Sequence, residues 1–96
     1  MRMVGLRIIP MTAADEISET PATVVDILWS GVLPADRVEH IYLDSSNGHV
    51  NLVLFQLVDS FEEARASVYK LWQRVSRRSK LLHGKYDVEI YPLEWY

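Results

Sequence analysis

Asn47-Gly48 stands between two apolar runs, Arg37 to Ser46 and His49 to Val58. A two-residue turn needs positive backbone angles at both central positions, which Asn-Gly tolerates, and its twist matches that of paired antiparallel strands. The dipeptide therefore predicts a tight hairpin. Once the turn is placed, the register follows: His40 opposes Phe55, Tyr42 opposes Val53 and Asp44 opposes Asn51 on one face. Ile41 with Leu54 and Leu43 with Leu52 fill the other face. One face is aliphatic and the other mixes aromatic with polar groups. A slip of one residue would exchange them, so this turn decides what the sheet presents and what it buries.

The remaining elements are read around that hairpin. Met3 to Ile9 alternates Val4, Leu6 and Ile8 against Met3, Gly5, Arg7 and Ile9, a strand that stops at Pro10. Met11 to Glu19 is a polar, acidic connection. Thr20-Pro21 marks a helix start, because proline at the first helical position gives up only an N–H with no intrahelical partner. That helix runs through Trp29 or Ser30, with Val24, Val25 and Leu28 on its apolar side and Ile27 and Trp29 flanking; Gly31 and Pro34 close it. Ser60, with Glu63 three residues on, caps a second and longer helix. Phe61, Ala64, Val68, Leu71, Trp72 and Val75 form its buried stripe, leaving Arg65, Lys70, Gln73, Arg74 and Arg77 to water. Gly84 ends the turn after Leu81 and Leu82, and Lys85 to Tyr91 makes a last strand, with Tyr86, Val88 and Ile90 on one side and Pro92 stopping or fringing it.

Strand, helix, strand, strand, helix, strand closes most simply as an α+β, ferredoxin-like βαββαβ domain: a four-stranded antiparallel sheet with two helices on one face. Ninety-six residues suffice for one such domain, residues 1–96. A composition 49% hydrophobic and 24% charged, with four glycines and four prolines, is that of a folded chain rather than a disordered tail. No cysteine is present, which excludes disulfides, thiolate metal sites and a cysteine nucleophile, and suits a cytoplasmic setting. The apolar start carries Arg2 and Arg7 with no small-residue cleavage site, and no apolar run is long enough to span a bilayer, so neither a signal peptide nor a membrane association is expected.

Beneath the net charge of −3 lies a polarity: ten acids and one base, Arg37, between Met11 and Glu63, then seven bases and no acid from Ala64 to Lys85. Separated charge of this kind steers partners. Arg74, Arg77, Arg78 and Lys80 gather at the end of the second helix, where cations also complement the helix dipole, and form a candidate anion patch.

With the aliphatic sets under the helices, the other sheet face collects Met3, Arg7, His40, Tyr42, Asp44, Asn51, Val53, Phe55, Asp87, Glu89 and Tyr91. Nothing else in the chain is left to cover it, and monomers rarely leave so large an apolar patch bare. Tyr42, Val53, Phe55 and Tyr91 are therefore candidate interface residues, joined by Trp95 and Tyr96 of the aromatic tail. A second copy in a homodimer is the expected cover, with another protein or a small hydrophobic ligand as the other occupants. In layout, sheet-to-sheet association of this kind resembles the dimeric α+β barrel group, which includes small oxygenases, isomerases and non-catalytic ligand binders. The resemblance implies a cleft whose polar groups would be His40, Tyr42, Arg7, Asp44, Asp87 and Glu89; a histidine beside a carboxylate moves protons near neutral pH.

Other chemistry is thin. His40, His49 and His83 lack metal-site spacing, so no metal is expected. Gly5, Gly31, Gly48 and Gly84 stand singly, so no phosphate-cradling loop and no cofactor is expected. Ser45 and Ser46 are turn formers without a glycine-flanked elbow. The outward carboxylates argue against nucleic acid, and the third strand lacks the Lys/Arg-Gly-Phe run of RNA-recognition sheets. Two readings remain. One is a small cytoplasmic accessory or regulatory binding protein that self-associates through its sheet face, with no catalytic residues. The other is a cofactor-free enzyme of the barrel-dimer type, acting on a hydrophobic or aromatic molecule through His40, Tyr42, Arg7 and Glu89, with Trp29, Trp72 and Tyr86 lining its pocket.

Overall fold

The computed structural model describes residues 2–10, 21–44, 50–79, 82–84 and 86–93. Along the chain lie β1 (Arg2–Pro10), α1 (Pro21–Gly31), a single 3-10 turn (Pro34–Asp36), β2 (Val38–Asp44), β3 (Val50–Gln56), α2 (Phe61–Arg78) and β4 (Tyr86–Leu93). The acidic connection, the Asn47-Gly48 turn with Ser45, Ser46 and His49, and Thr20, Lys80, Leu81, Lys85, Trp95 and Tyr96 lie outside the described residues.

The strands form one antiparallel sheet in the order β2-β3-β1-β4. β1 and β2 run parallel with β3 between them and α1 connecting them; β3 and β4 run parallel with β1 between them and α2 connecting them. The spacing has a simple cause. A helix with its side chains is about 10 Å across, and strands lie about 4.8 Å apart, so two helices side by side cover four strands.

The hairpin register matches the expectation: His40 pairs with Phe55, Ile41 with Leu54, Tyr42 with Val53, Leu43 with Leu52 and Asp44 with Asn51. Both strands are shorter than their apolar runs. β2 starts at Val38 because Arg37 takes a left-handed conformation, φ 55°, and the register shifts between Val38 and His40. Leu57 still donates its N–H to Arg37 O, 2.9 Å, which ties the end of the pair.

One core joins the layers. Val4, Leu6 and Ile8 of β1 and Leu52 and Leu54 of β3 are fully buried together with Val24 and Leu28 of α1 and Ala64, Val68 and Leu71 of α2. Each fully buried aliphatic side chain contributes about 1.5–3 kcal/mol relative to exposure. α2 forms where its stripe and cap place it: Ser60 Oγ accepts the Glu63 N–H at 3.2 Å, satisfying one of the first-turn donors. Trp72 and Tyr86 belong to this core, 5% and 7% exposed, rather than to a pocket lining, whereas Trp29 is exposed.

Three expectations need correction. Leu43, expected beneath the helices with Leu52, is exposed, since β2 is an edge strand. β4 does not stop at Pro92; Pro92 pairs with Val4 and the strand continues to Leu93. At the sheet edge a proline whose nitrogen faces away from its neighbour removes no ladder hydrogen bond. Arg74 does not face water. Gly31 abuts Val75, where a Cβ would overlap the valine side chain, so the end of α1 lies close against α2. Arg74 Nε and Nη2 then reach Gly31 O at 3.0 and 2.8 Å, satisfying a carbonyl that the helix leaves open, and Nη2 meets Asp36 Oδ2 at 2.5 Å.

Candidate functional site: the open sheet face

Because Val4, Leu6 and Ile8 point at the helices, the pleat turns Met3, Gly5, Arg7 and Ile9 to the opposite face. Register then places Asn51, Val53 and Phe55 of β3, His40 and Tyr42 of β2, and Asp87, Glu89 and Tyr91 of β4 beside them. The expected face is thereby assembled. The lateral strand order divides it into two halves of different character.

The β2–β3 half is aromatic. Tyr42 and Phe55 meet edge to face, ring centroids 5.3 Å apart at 77°, and His40 tilts against Tyr42 at 5.6 Å. Edge-to-face pairs add about 0.5–1.5 kcal/mol beyond their buried area. Yet Tyr42 remains 52% exposed, with Val53 and Phe55 half-buried beside it. This is a preformed aromatic surface, ordered by ring packing and still accessible.

The β1–β4 half is organised by Arg7. Its Nε donates to Asn51 Oδ1 at 3.1 Å, its Nη1 to Glu89 Oε2 at 3.4 Å, and its guanidinium carbon lies 5.6 Å from the centre of the Tyr91 ring. The Arg7–Glu89 pair is 41% and 55% exposed, so it contributes at most about 1 kcal/mol. Its consequence is orientation, because three partners hold the arginine flat over the sheet. Tyr91 lies across Gly5, where a Cβ would overlap its ring. Position 5 is thus a seat for an aromatic side chain from the neighbouring strand.

The four residues named for proton chemistry come together as two pairs. Arg7 meets Glu89 and His40 meets Tyr42, but β3 runs between them, so the strands carrying His40 and Arg7 are about 10 Å apart. Among the described residues His40 makes no hydrogen bond or ion pair with a carboxylate. Asp87 Oδ1 accepts the Val88 N–H at 2.8 Å, and among the described residues no group of three His, Asp or Glu side chains converges as metal ligands.

Of the expected anion patch, Arg77 and Arg78 are exposed, whereas Arg74 is held by Gly31 and Asp36. Sequence reasoning missed the polar node behind that arginine. Asp36 is 5% exposed; its Oδ2 also accepts the Leu33 N–H at 2.8 Å, and its backbone O accepts Gln56 Nε2 at 3.1 Å. The only available signal was an acid two residues after Pro34, where α1 has ended.

No family model matches the chain, and no curated protein matches it. What the fold and face define is an α+β chain with a four-stranded antiparallel sheet, helices on one side, and a half-aromatic, half-charged surface on the other. No helix among the described residues is long and apolar enough to cross a membrane.

Proposed function

We propose that this chain is a ferredoxin-like domain acting as a small accessory or regulatory binding protein that forms a homodimer through its open sheet face. The two interlocked β-α-β units, each with a strand of the other between its own, support the ferredoxin-like plan. The observation that carries the binding reading is the exposed Tyr42, with Phe55 and Val53 half-buried beside it, next to a fixed, partly exposed arginine. Aromatic residues and arginine are the groups enriched in protein interfaces.

A second copy fits this face because the halves complement each other. A two-fold axis parallel to the strands, between β3 and β1, sets the aromatic half of each copy over the Arg7–Tyr91 half of the other. Tyr42, Val53, Gly5 and Tyr91 share one level along the strands, so Tyr42 of each copy then meets Tyr91 of the other. Trp95 and Tyr96, which lie outside the described residues, join this proposal as further association residues. A cytoplasmic site of action is the companion proposal, resting on the absence of cysteine. The outward Asp87 and Glu89 favour a protein over a nucleic acid.

The enzymatic alternative gains nothing from this arrangement: His40 stands level with Leu93 and Glu89 with Asp44, so the two stay four residues apart along the strands, about 13 Å. Sedimentation velocity tests the dimer. Alanine at Tyr42 and Phe55 together is expected to shift the association midpoint upward by tenfold or more, about the loss of one well-packed aromatic anchor; association unchanged in this variant sinks the proposal.

A further inference from the structure

On the helix layer, across the sheet from the proposed interface, the end of α2 leaves cations without protein partners. Among the described residues the side chains of Lys70, Arg77, Arg78 and His83 make no hydrogen bond or ion pair, and all four are exposed. They surround two adjoining open depressions. Lys70, Gln73, Arg74, Arg77 and Arg78 line one of about 430 Å³. Arg77, Arg78, Ser79 and His83 line the other, of about 350 Å³. The two arginines belong to both, and no carboxylate lines either.

The charge balance favours an anion here. A helix C-terminus carries about half a negative charge, which opposes anions. Arg74 contributes little against it, since Asp36 neutralises it at 2.5 Å. Lys70, Arg77 and Arg78 bring three full positive charges that no described residue pairs with, and the chain has no acid from Ala64 to Lys85. The cations win. Planar guanidinium groups match phosphoryl oxygens two at a time, and Gln73 and Ser79 add neutral donors at either end.

We infer that this end of α2 binds a diphosphate group on Arg77 and Arg78, the two residues that both depressions share. The site does not depend on the sheet face and stands or falls separately from the dimer. Calorimetric titration of the full chain at physiological ionic strength, with inorganic pyrophosphate and with orthophosphate, tests it. Pyrophosphate is expected to saturate one site per chain and to bind roughly tenfold or more tightly than orthophosphate, the difference made by one further charge-assisted contact. R77Q and R78Q each weaken pyrophosphate by roughly tenfold with the helical circular dichroism unchanged. R65Q removes the same charge from α2 at a position lining neither depression and leaves binding unaltered. A parallel titration with adenosine diphosphate separates sources: its binding supports an ester, its exclusion supports the free anion. Absence of saturation, equal affinity for the two inorganic anions, or a loss in R65Q matching that in R77Q would overturn the site.

Discussion

Tyr91 on β4 lies across Gly5 on β1, in space that any larger residue at position 5 would have to share with the ring. Adding a methyl group there forces the ring off the sheet and disturbs the arginine over it, since Arg7 lies 5.6 Å from the same ring. Gly5→Ala should destabilise the chain by about 1–3 kcal/mol in urea denaturation, the usual consequence of overpacking. Removing the ring removes the clash, so in the background of Tyr91→Ala the same change should be nearly neutral. Additive effects in that cycle would show that Tyr91 does not rest on Gly5.

Asp36 and Arg74 invite a second cycle. The Asp36 side chain is 8% exposed and that of Arg74 23%, at 2.5 Å. Arg74→Met leaves a nearly buried carboxylate without its countercharge and opens Gly31 O, so a loss of about 3 kcal/mol is expected. Asp36→Asn keeps an acceptor for the Leu33 N–H and leaves Arg74 bound to Gly31, so it should lose clearly less. Thermal denaturation of both variants checks the order; equal losses would mean that burial of the carboxylate is not what makes the pair matter.

Gln56 is fully buried, yet its Oε1 has no hydrogen-bond partner among the described residues, while Nε2 binds Asp36 O. Gln56→Met gives up one hydrogen bond but also removes an unsatisfied acceptor, and the two effects nearly cancel. The expected change is within about 1 kcal/mol. Gln56→Ala instead opens a cavity under the end of β3 and should lose about 2 kcal/mol or more. If methionine proves as damaging as alanine, Oε1 has a partner such as an ordered water.

Ser60→Ala removes the acceptor for the Glu63 N–H and should lower stability by about 1 kcal/mol, with Ser60→Asp restoring it. Hydrogen exchange at Glu63 should accelerate in the alanine variant alone. Unchanged exchange there would show that the cap is not formed in solution.

Signals with a fixed local period were readable before the structure. The hairpin register rested on Asn47-Gly48 and the two-residue alternation around it, and every pair from His40–Phe55 to Asp44–Asn51 is present. The α2 stripe rested on three- and four-residue spacing, and Ala64, Val68, Leu71, Trp72 and Val75 are all buried. Features set by neighbours in space carried no such signal. Asp36 and Arg74 are 38 residues apart, and neither breaks the pattern of its own element. Pro92 read as a stop because its tolerance depends on β4 being an edge strand, which only the strand order supplies. The same order separates His40 from Glu89: alternation put both on one face, but face membership does not determine how many strands lie between them. Gly5 has no side chain to reveal what rests on it.

Native mass spectrometry of the gently purified chain tests the central claim most directly, because one spectrum reports both subunit number and any bound small molecule. The account predicts a dimer at twice the chain mass that reverts to monomer in Val53→Asp, where a charge enters the middle of the sheet face beside Tyr42. A wild-type chain that stays monomeric across the accessible concentration range, or a dimer that survives Val53→Asp, would contradict it.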